Sequence, residues 1–139
     1  MLLPGTDAAA IDRAAAALAA GELVAFPTET VYGLGARADD DRAVERIFAC
    51  KGRPADHPLI VHVLDIDQAR HFSSSLEGAA TRLIETFWPG PLTVIVERAA
   101  GVAEAAAAGQ STIGLRSPAH PVARALLEAA IQHGVAGVA

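Results

Sequence analysis

Short apolar segments alternate with helix-forming segments along the whole chain, and this alternation limits the possible folds more than any other feature. Four apolar runs have the length and the turn-bounded ends of buried strands: residues 22–26, 58–63, 92–97 and 112–116. Four other segments carry apolar side chains at helical spacing: residues 8–20, a stretch that starts near 39–41, residues 80–87 and residues 119–133. The alternation predicts an α/β sheet covered by helices.

The length of 139 residues and a hydrophobic content of 52% allow one core of ordinary size. We therefore expect residues 1–139 to form a single domain. The last residues, "VAGVA" at 135–139, begin another strand, and no helix follows to cover it. We expect that the C-terminal part of this domain is missing from the chain.

The charge balance bears on the class of partner. Eleven Lys and Arg against sixteen Asp and Glu give a net charge of −5, which argues against general binding to nucleic acids or anionic membranes but not against a local basic site. The single cysteine, Cys50, has no partner for a disulfide or a metal motif, so a reducing compartment, the cytoplasm, is expected. No apolar run has the length of a membrane span.

The segment "FPTETVYGLG", residues 26–35, places three hydroxyl groups and one carboxylate after a buried strand, from Thr28, Glu29, Thr30 and Tyr32. A turn after a strand of an α/β sheet is a common ligand site. The alternative is a polar loop that satisfies its own backbone. The glycines of "GLG" lack the third glycine of a dinucleotide-binding loop, so a site of that kind is not expected.

The segment "CKGRPADHPLIVH", residues 50–62, contains Lys51, Arg53, His57 and His62. Lys51 and Arg53 together suit a polyanion, because arginine pairs with phosphate at two points and lysine adds a point charge. The alternative is a helix C-terminus with favourable positive charge. His62 within an apolar run can be a core residue, and His57 and His62 lack a third ligand for a metal.

Two further segments follow. "WPGPLT", residues 88–93, is interpreted as a rigid connection between a helix and a strand. "STIGLRSPAHP", residues 111–121, places Thr112 on a strand and Arg116 at its end, where a guanidinium can hold an anion. A surface salt bridge is the alternative for Arg116.

The segments FPTETVYGLG, KGRPADHPLIVH, WPGPLT and TIGLRSPAHP, in this order, resemble the YrdC family of threonylcarbamoyl-AMP synthases, and the resemblance runs from about residue 10 to residue 139. It implies a YrdC-like twisted mixed sheet and a cytoplasmic enzyme. The implied reaction joins L-threonine, bicarbonate and ATP, with Mg²⁺, into threonylcarbamoyl-AMP and pyrophosphate. The product would pass to the tRNA threonylcarbamoyl transferase machinery, which modifies adenosine 37.

The resemblance also implies roles for single residues. Thr30, His62 and Arg116 match positions that hold L-threonine. Lys51, Arg53, His57 and Thr112 match the ATP side, and Lys51 with Arg53 would carry the catalysis without a covalent nucleophile. Family members usually carry Asn at the position of His57, and the family continues with a Ser-x-Asn segment after the last residue of this chain.

Two alternative functions remain at this stage. A paralogue would keep the fold and the carbamoyl-adenylate chemistry but use another acceptor. An RNA-binding module would use a concave basic surface, with Lys51, Arg53 and Arg116 in it. For the enzyme itself, weak binding of tRNA is a further expectation.

Overall fold

The computed structural model describes residues 2–29, 32–52 and 56–139. Five helices and five strands lie within these ranges. In chain order they are α1 (Ala8–Ala19), β1 (Val24–Pro27), β2 (Tyr32–Gly35), α2 (Asp41–Lys51), β3 (Ile60–His62), α3 (Ile66–Ala69), α4 (Ala79–Phe87), β4 (Thr93–Glu97), β5 (Thr112–Arg116) and α5 (Pro121–Gln132). Each predicted helix and strand is present, with ends shifted by one or two residues in most elements, whereas β2 and the short helix α3 were not predicted.

The helix ends follow from the local sequence. Asp7 and Asp40 precede α1 and α2, and each side chain accepts a hydrogen bond from a backbone amide of the first turn. After α2, Gly52 takes a left-handed conformation with φ of 65°. This conformation is unfavourable for residues other than glycine, and Gly52 therefore ends the helix.

The strands form two ladders. In the first, β1 and β2 pair antiparallel as a hairpin. In the second, the order is β3-β5-β4, with β3 parallel to β5 and β4 antiparallel to it, so this sheet is mixed. Residues 32–35, which the sequence analysis placed in a turn, are strand β2. Gly35 is needed there for packing, since a Cβ at this position would lie 2.7 Å from the ring of Phe26.

The last residues of the chain connect the two ladders. Val138 exchanges both backbone hydrogen bonds with His62, at 2.7 and 2.9 Å, and Ala139 exchanges two with Ala36. Residues 137–139 therefore lie between residues 36–38 and β3. Gly137 must be small here, because a Cβ would lie 2.8 Å from the ring of Phe72. The strand expected at 135–139 is present as this short pairing.

The core lies on one side of the mixed sheet. Alternate side chains of the three strands pack against α2, α4 and the loop around residues 103–106. A second cluster joins α1, α5, Phe26 and Val138. The apolar spacing of residues 80–87 predicts that Leu83, Ile84 and Phe87 all face inward, and for two of them this is wrong. Leu83 and Phe87 are 42% and 55% exposed, and Ile84 is the buried residue of α4, which packs on β4. None of the described helices is long and apolar enough to cross a membrane.

Candidate active site

The side chains of strand β5 point alternately into the core and onto the second face of the mixed sheet. Ile113 and Leu115 are buried in the core, so Thr112, Gly114 and Arg116 share the opposite face, because side chains alternate along a strand. Each of these three is only partly buried. The middle position carries no side chain, and the two ends are polar.

The neighbouring strands add side chains to the same face. In the register of the sheet, His62 of β3 and Thr93 of β4 lie beside Arg116. Ile60 and Ile95 flank Gly114 and are 43% and 73% exposed. This face, called the open face below, therefore has a cationic end at Arg116, an apolar middle and a second polar end at Thr112.

Arg116 is held at its end of the open face by two groups from other segments. Its Nε donates to the backbone oxygen of Gly90 at 3.2 Å, and its Nη2 donates to Glu29 Oε2 at 2.8 Å. Gly90 is itself fixed, since its amide donates to the backbone oxygen of Ser117 at 2.8 Å. The side chain of Arg116 is 11% exposed. The salt bridge that was the alternative for Arg116 is therefore present, but Arg116 is mostly buried and also has a backbone partner.

Glu29 reaches this site from the segment after β1. Its Oε1 accepts a hydrogen bond from the backbone amide of His120 at 3.1 Å. Partial burial alone would raise the pKa of this carboxyl. The pKa is instead lowered from 4.5 to about 2, because the carboxylate accepts hydrogen bonds from the backbone amide of Ala119, the guanidinium of Arg116 and the backbone amide of His120. The carboxylate is therefore charged at neutral pH.

His62 lies beside Arg116 and is almost enclosed. Burial, and then the positive charge of Arg116, lower its pKa from 6.5 to about 4, against smaller opposite effects from the backbone of Val138 and the charge of Glu29. Its ring packs edge-on against Phe26, with 5.8 Å between centroids. Nδ1 is buried and has no hydrogen-bond partner in the described part of the chain. A neutral imidazole with an unused nitrogen suits a polar group of a ligand.

Thr112 lies at the other end of the open face, beside Glu97 of β4. Four residues of extended chain separate Thr112 from Arg116, which corresponds to about 13 Å. A ligand that contacts both residues must be longer than an amino acid. The structure thus places Thr112 on the same face as His62 and Arg116 but apart from them.

The remaining residues singled out from the sequence are not joined to this group. Lys51 is the exposed last residue of α2, and His57 is exposed with its Nε2 3.9 Å from Asp56 Oδ1. Among the described residues, no hydrogen bond or ion pair links Lys51 or His57 to His62 or Arg116. Thr30 and Arg53 lie outside the described residues.

Two contacts of Arg116 were not predicted as site contacts. Glu29 was noted as the carboxylate of a hydroxyl-rich turn, and Gly90 as part of a rigid connection. An acid after a strand is a usable signal, but its pairing with Arg116 spans 87 positions of sequence. The role of Gly90 depends on its backbone oxygen, which no residue type reveals.

A separate cavity of about 950 Å³ lies between the N-terminal segment, α1, β1 and the start of α5. Its lining includes Tyr32 and His120 but neither His62 nor Arg116. Most of its lining is aliphatic, and half of the lining residues come from α1 and residues 2–6. The polar groups that can perform chemistry converge on the open face instead.

A mixed sheet with one face packed on helices and a charged, partly buried cluster at the strand ends of the other defines an α/β ligand-binding domain. The chain belongs to the Sua5/YciO/YrdC family, whose model, described as "Telomere recombination", matches residues 16–137. The predicted family and fold class are confirmed by this match and by solved structures of similar fold.

Similar proteins share a name. The chain is 48% identical over 108 residues to the threonylcarbamoyl-AMP synthase of Pyrococcus abyssi, covering 78% of this chain and 32% of that protein. It is 47% identical over 118 residues to the Bacillus subtilis threonylcarbamoyl-AMP synthase, covering 84% and 34%. A crystal structure of P. abyssi Sua5 complexed with L-threonine superposes with a TM-score of 0.88 at 42% identity, covering 95% of this chain and 38% of that one. The chain therefore spans about a third of the length of these relatives.

Proposed function

We propose that this chain carries the substrate sites of an L-threonylcarbamoyladenylate synthase, a nucleotidyltransferase that forms threonylcarbamoyl-AMP and pyrophosphate from L-threonine, bicarbonate and ATP. The observation that carries the proposal is the pair of Arg116 and His62 on adjacent strands of the open face. Support comes from relatives named threonylcarbamoyl-AMP synthase and from a similar protein whose structure holds L-threonine.

L-Threonine is proposed to bind at the Arg116 end. A guanidinium that is 11% exposed and fixed by two partners is suited to the α-carboxylate of an amino acid. His62, neutral at pH 7 and without a partner for Nδ1 among the described residues, would bind the amine or the hydroxyl group. Thr30 is proposed as a further contact to the threonine on the basis of the family resemblance.

ATP is proposed to extend from there toward Thr112. The separation of about 13 Å between Arg116 and Thr112 leaves room for a second substrate beside the amino acid. Lys51 and Arg53 would neutralise phosphate charge, with His57 as another contact on this side. No group of three acidic, histidine or cysteine side chains in the described part of the chain is placed to hold a metal. We propose that Mg²⁺ enters as part of the Mg–ATP substrate, since Mg²⁺ is commonly bound through substrate phosphates.

The proposed chemistry has two steps. The threonine amine adds to the carbon of bicarbonate and water leaves, which gives a carbamate. A carbamate oxygen then attacks the α-phosphorus of ATP, the bond to the β-phosphate oxygen breaks, and pyrophosphate leaves with that electron pair. Positioning and charge neutralisation are the main requirements of such a transfer, so Lys51 and Arg53 are the residues proposed to carry it.

The test is incorporation of labelled bicarbonate into a nucleotide product by the chain with Mg–ATP, with and without L-threonine. We expect a product that depends on L-threonine, together with release of pyrophosphate. A matched reaction with L-valine, which replaces the hydroxyl by a methyl group, controls for recognition of the side chain. Absence of product, together with absence of L-threonine binding by calorimetry, would refute the proposal for this chain.

The same assay separates the alternatives. A paralogue with another carbamoyl acceptor would release pyrophosphate without any requirement for L-threonine. An RNA-binding module would bind tRNA with a strong dependence on salt and with no effect of ATP or L-threonine. We further propose that the product is used in the cytoplasm for threonylcarbamoyl modification of adenosine 37 of tRNA, through a transferase that accepts the adenylate.

A further inference from the structure

Glu29 has contacts that the proposed reaction does not by itself require. It lies after β1, yet its carboxylate bonds to Arg116 at the end of β5 and to the backbone amide of His120 at the start of α5. The side chain of Arg116 is 11% exposed and largely removed from water, whereas that of Glu29 is 26% exposed and keeps partial contact with solvent. A single carboxylate therefore connects three segments of the chain at the cationic end of the open face.

We propose that Glu29 is a positioning residue for Arg116, which it holds in the orientation that binds the carboxylate of the amino-acid substrate. This inference rests on the proposed function. Glu29 would act through Arg116 and would not contact the reacting atoms.

The anchoring of Glu29 supports a fixed role. Its Oε1 is bound by the backbone amide of His120, and the side chain of His120 caps α5 by accepting from Val122 at 3.1 Å. Backbone amides at the start of a helix do not move independently of the fold, so the carboxylate has a defined position. Its low pKa, about 2, agrees with this anchoring.

The contacts of Arg116 leave part of the guanidinium for a ligand. Nε is used by the oxygen of Gly90 and one N–H of Nη2 by Glu29. A guanidinium has five N–H groups. Within the described part of the chain, the two N–H groups of Nη1 and one N–H of Nη2 are therefore left to donate to a carboxylate.

The opposite interpretation is that Glu29 occupies the place of the substrate carboxylate and blocks the site. The two interpretations predict changes of opposite sign when the charge of Glu29 is removed. If Glu29 positions Arg116, its loss weakens substrate binding. If Glu29 competes with the substrate, its loss strengthens binding.

The experiment compares Glu29→Gln with the unchanged chain and with Asp39→Asn as a matched control. Gln keeps the shape of Glu29 and loses its charge. Asp39 Oδ1 pairs with Arg37 Nε at a distance of 2.7 Å, and this ion pair is not part of the open face. One readout needs no ligand: the rotation of the Nη2 group of Arg116, the nitrogen that Glu29 binds, measured by NMR. The second readout is the Kd for L-threonine from calorimetry, with Mg–ATP affinity measured in parallel.

We expect the Nη2 group of Arg116 to rotate more freely in Glu29→Gln but not in Asp39→Asn, and we expect L-threonine affinity to fall by about tenfold with ATP affinity unchanged. Unchanged rotation of the Nη2 group, or unchanged or tighter L-threonine binding, would overturn the positioning role. If the unchanged chain does not bind L-threonine, the proposed function fails, and the rotation of the Nη2 group still decides whether Glu29 orders Arg116. A circular dichroism melt confirms that each variant is folded.

Discussion

Acidification should destabilise the folded chain through His62. This residue is almost enclosed beside Arg116, and its pKa is lowered from 6.5 to about 4. In the unfolded chain the imidazole takes up a proton below pH 6.5, whereas in the folded chain it stays neutral until about pH 4. The unfolded state therefore binds more protons across this window, and the free energy of unfolding falls as the pH is lowered through it.

The size of the effect follows from the two pKa values. A difference of about 2.5 pKa units at about 1.36 kcal/mol per unit corresponds to about 3.4 kcal/mol as an upper value. Nothing from this residue is lost above pH 6.5, and the full amount is lost below about pH 4. Against a typical domain stability of about 5–15 kcal/mol, this is a large fraction.

Two measurements check this prediction. NMR titration of the imidazole Cε1–H signals should show His62 remaining neutral down to about pH 4, with exposed His57 and His71 present as internal comparisons. Urea unfolding between pH 7 and pH 4 should show that His62→Gln removes much of the pH dependence. The variant His57→Gln, changed at an exposed site, is the matched control and should leave it intact.

A His62 pKa of 6 or above in the folded chain would refute this reasoning. So would an identical pH dependence of stability in the unchanged chain and in His62→Gln. In either case the burial of His62 beside Arg116 would not govern its protonation.

Four further predictions concern packing, capping, substrates and RNA. Gly137→Ala should lower the free energy of unfolding in urea by about 1–3 kcal/mol, because the new Cβ would lie 2.8 Å from an aromatic ring. Gly33→Ala, where no atom lies within 4 Å of the new Cβ, should lower it far less. Equal losses of stability in the two variants would contradict the packing argument. Asp40→Ala should cost about 1 kcal/mol through loss of the cap of α2, and an unchanged melting temperature would count against it. Arg116→Ala should lower the affinity for L-threonine by at least about tenfold and the affinity for ATP little, whereas Lys51→Ala should lower the affinity for ATP and leave that for L-threonine nearly unchanged. Equal losses of affinity for both substrates would reject these assignments. Affinity for tRNA should change by less than about tenfold between about 50 and 200 mM salt, and a loss of about a thousandfold would instead favour an RNA-binding module.

Most of the fold could be predicted from the sequence because local patterns determine the elements. Apolar runs bounded by turn residues predicted the strands, and helical spacing predicted the helices that Asp7 and Asp40 are found to cap. The hairpin partner β2 was missed because its two glycines indicate a turn, and their close packing against another strand is a tertiary property. The orientation of α4 was missed because the helix carries more apolar side chains than it buries. The sequence alone does not show which of them face the core.

The candidate site was predicted only in part, for a physical reason. The position of Arg116 at a strand end indicated a side chain that can hold an anion, whereas His62 was matched to the amino-acid site only through the family resemblance. The ion pair with Glu29 and the bond to the oxygen of Gly90 join segments that are 87 and 26 positions from Arg116. Such pairs depend on how the hairpin and the turn at 88–93 dock on the sheet, which no local pattern specifies.

The positions of the other arginines argue against a nucleic-acid-binding surface around Arg116. Arg37, Arg46, Arg98 and Arg124 also donate to backbone oxygens, at 2.7 to 3.0 Å, and so connect loops and helix ends. Their charges are spread over the molecule rather than collected in one groove, and the net charge is −5. Binding to a polyanion would need many such charges on one face. Arg116 has a neighbouring neutral histidine and a paired acid, and this local balance suits a small zwitterionic ligand better than a phosphate backbone.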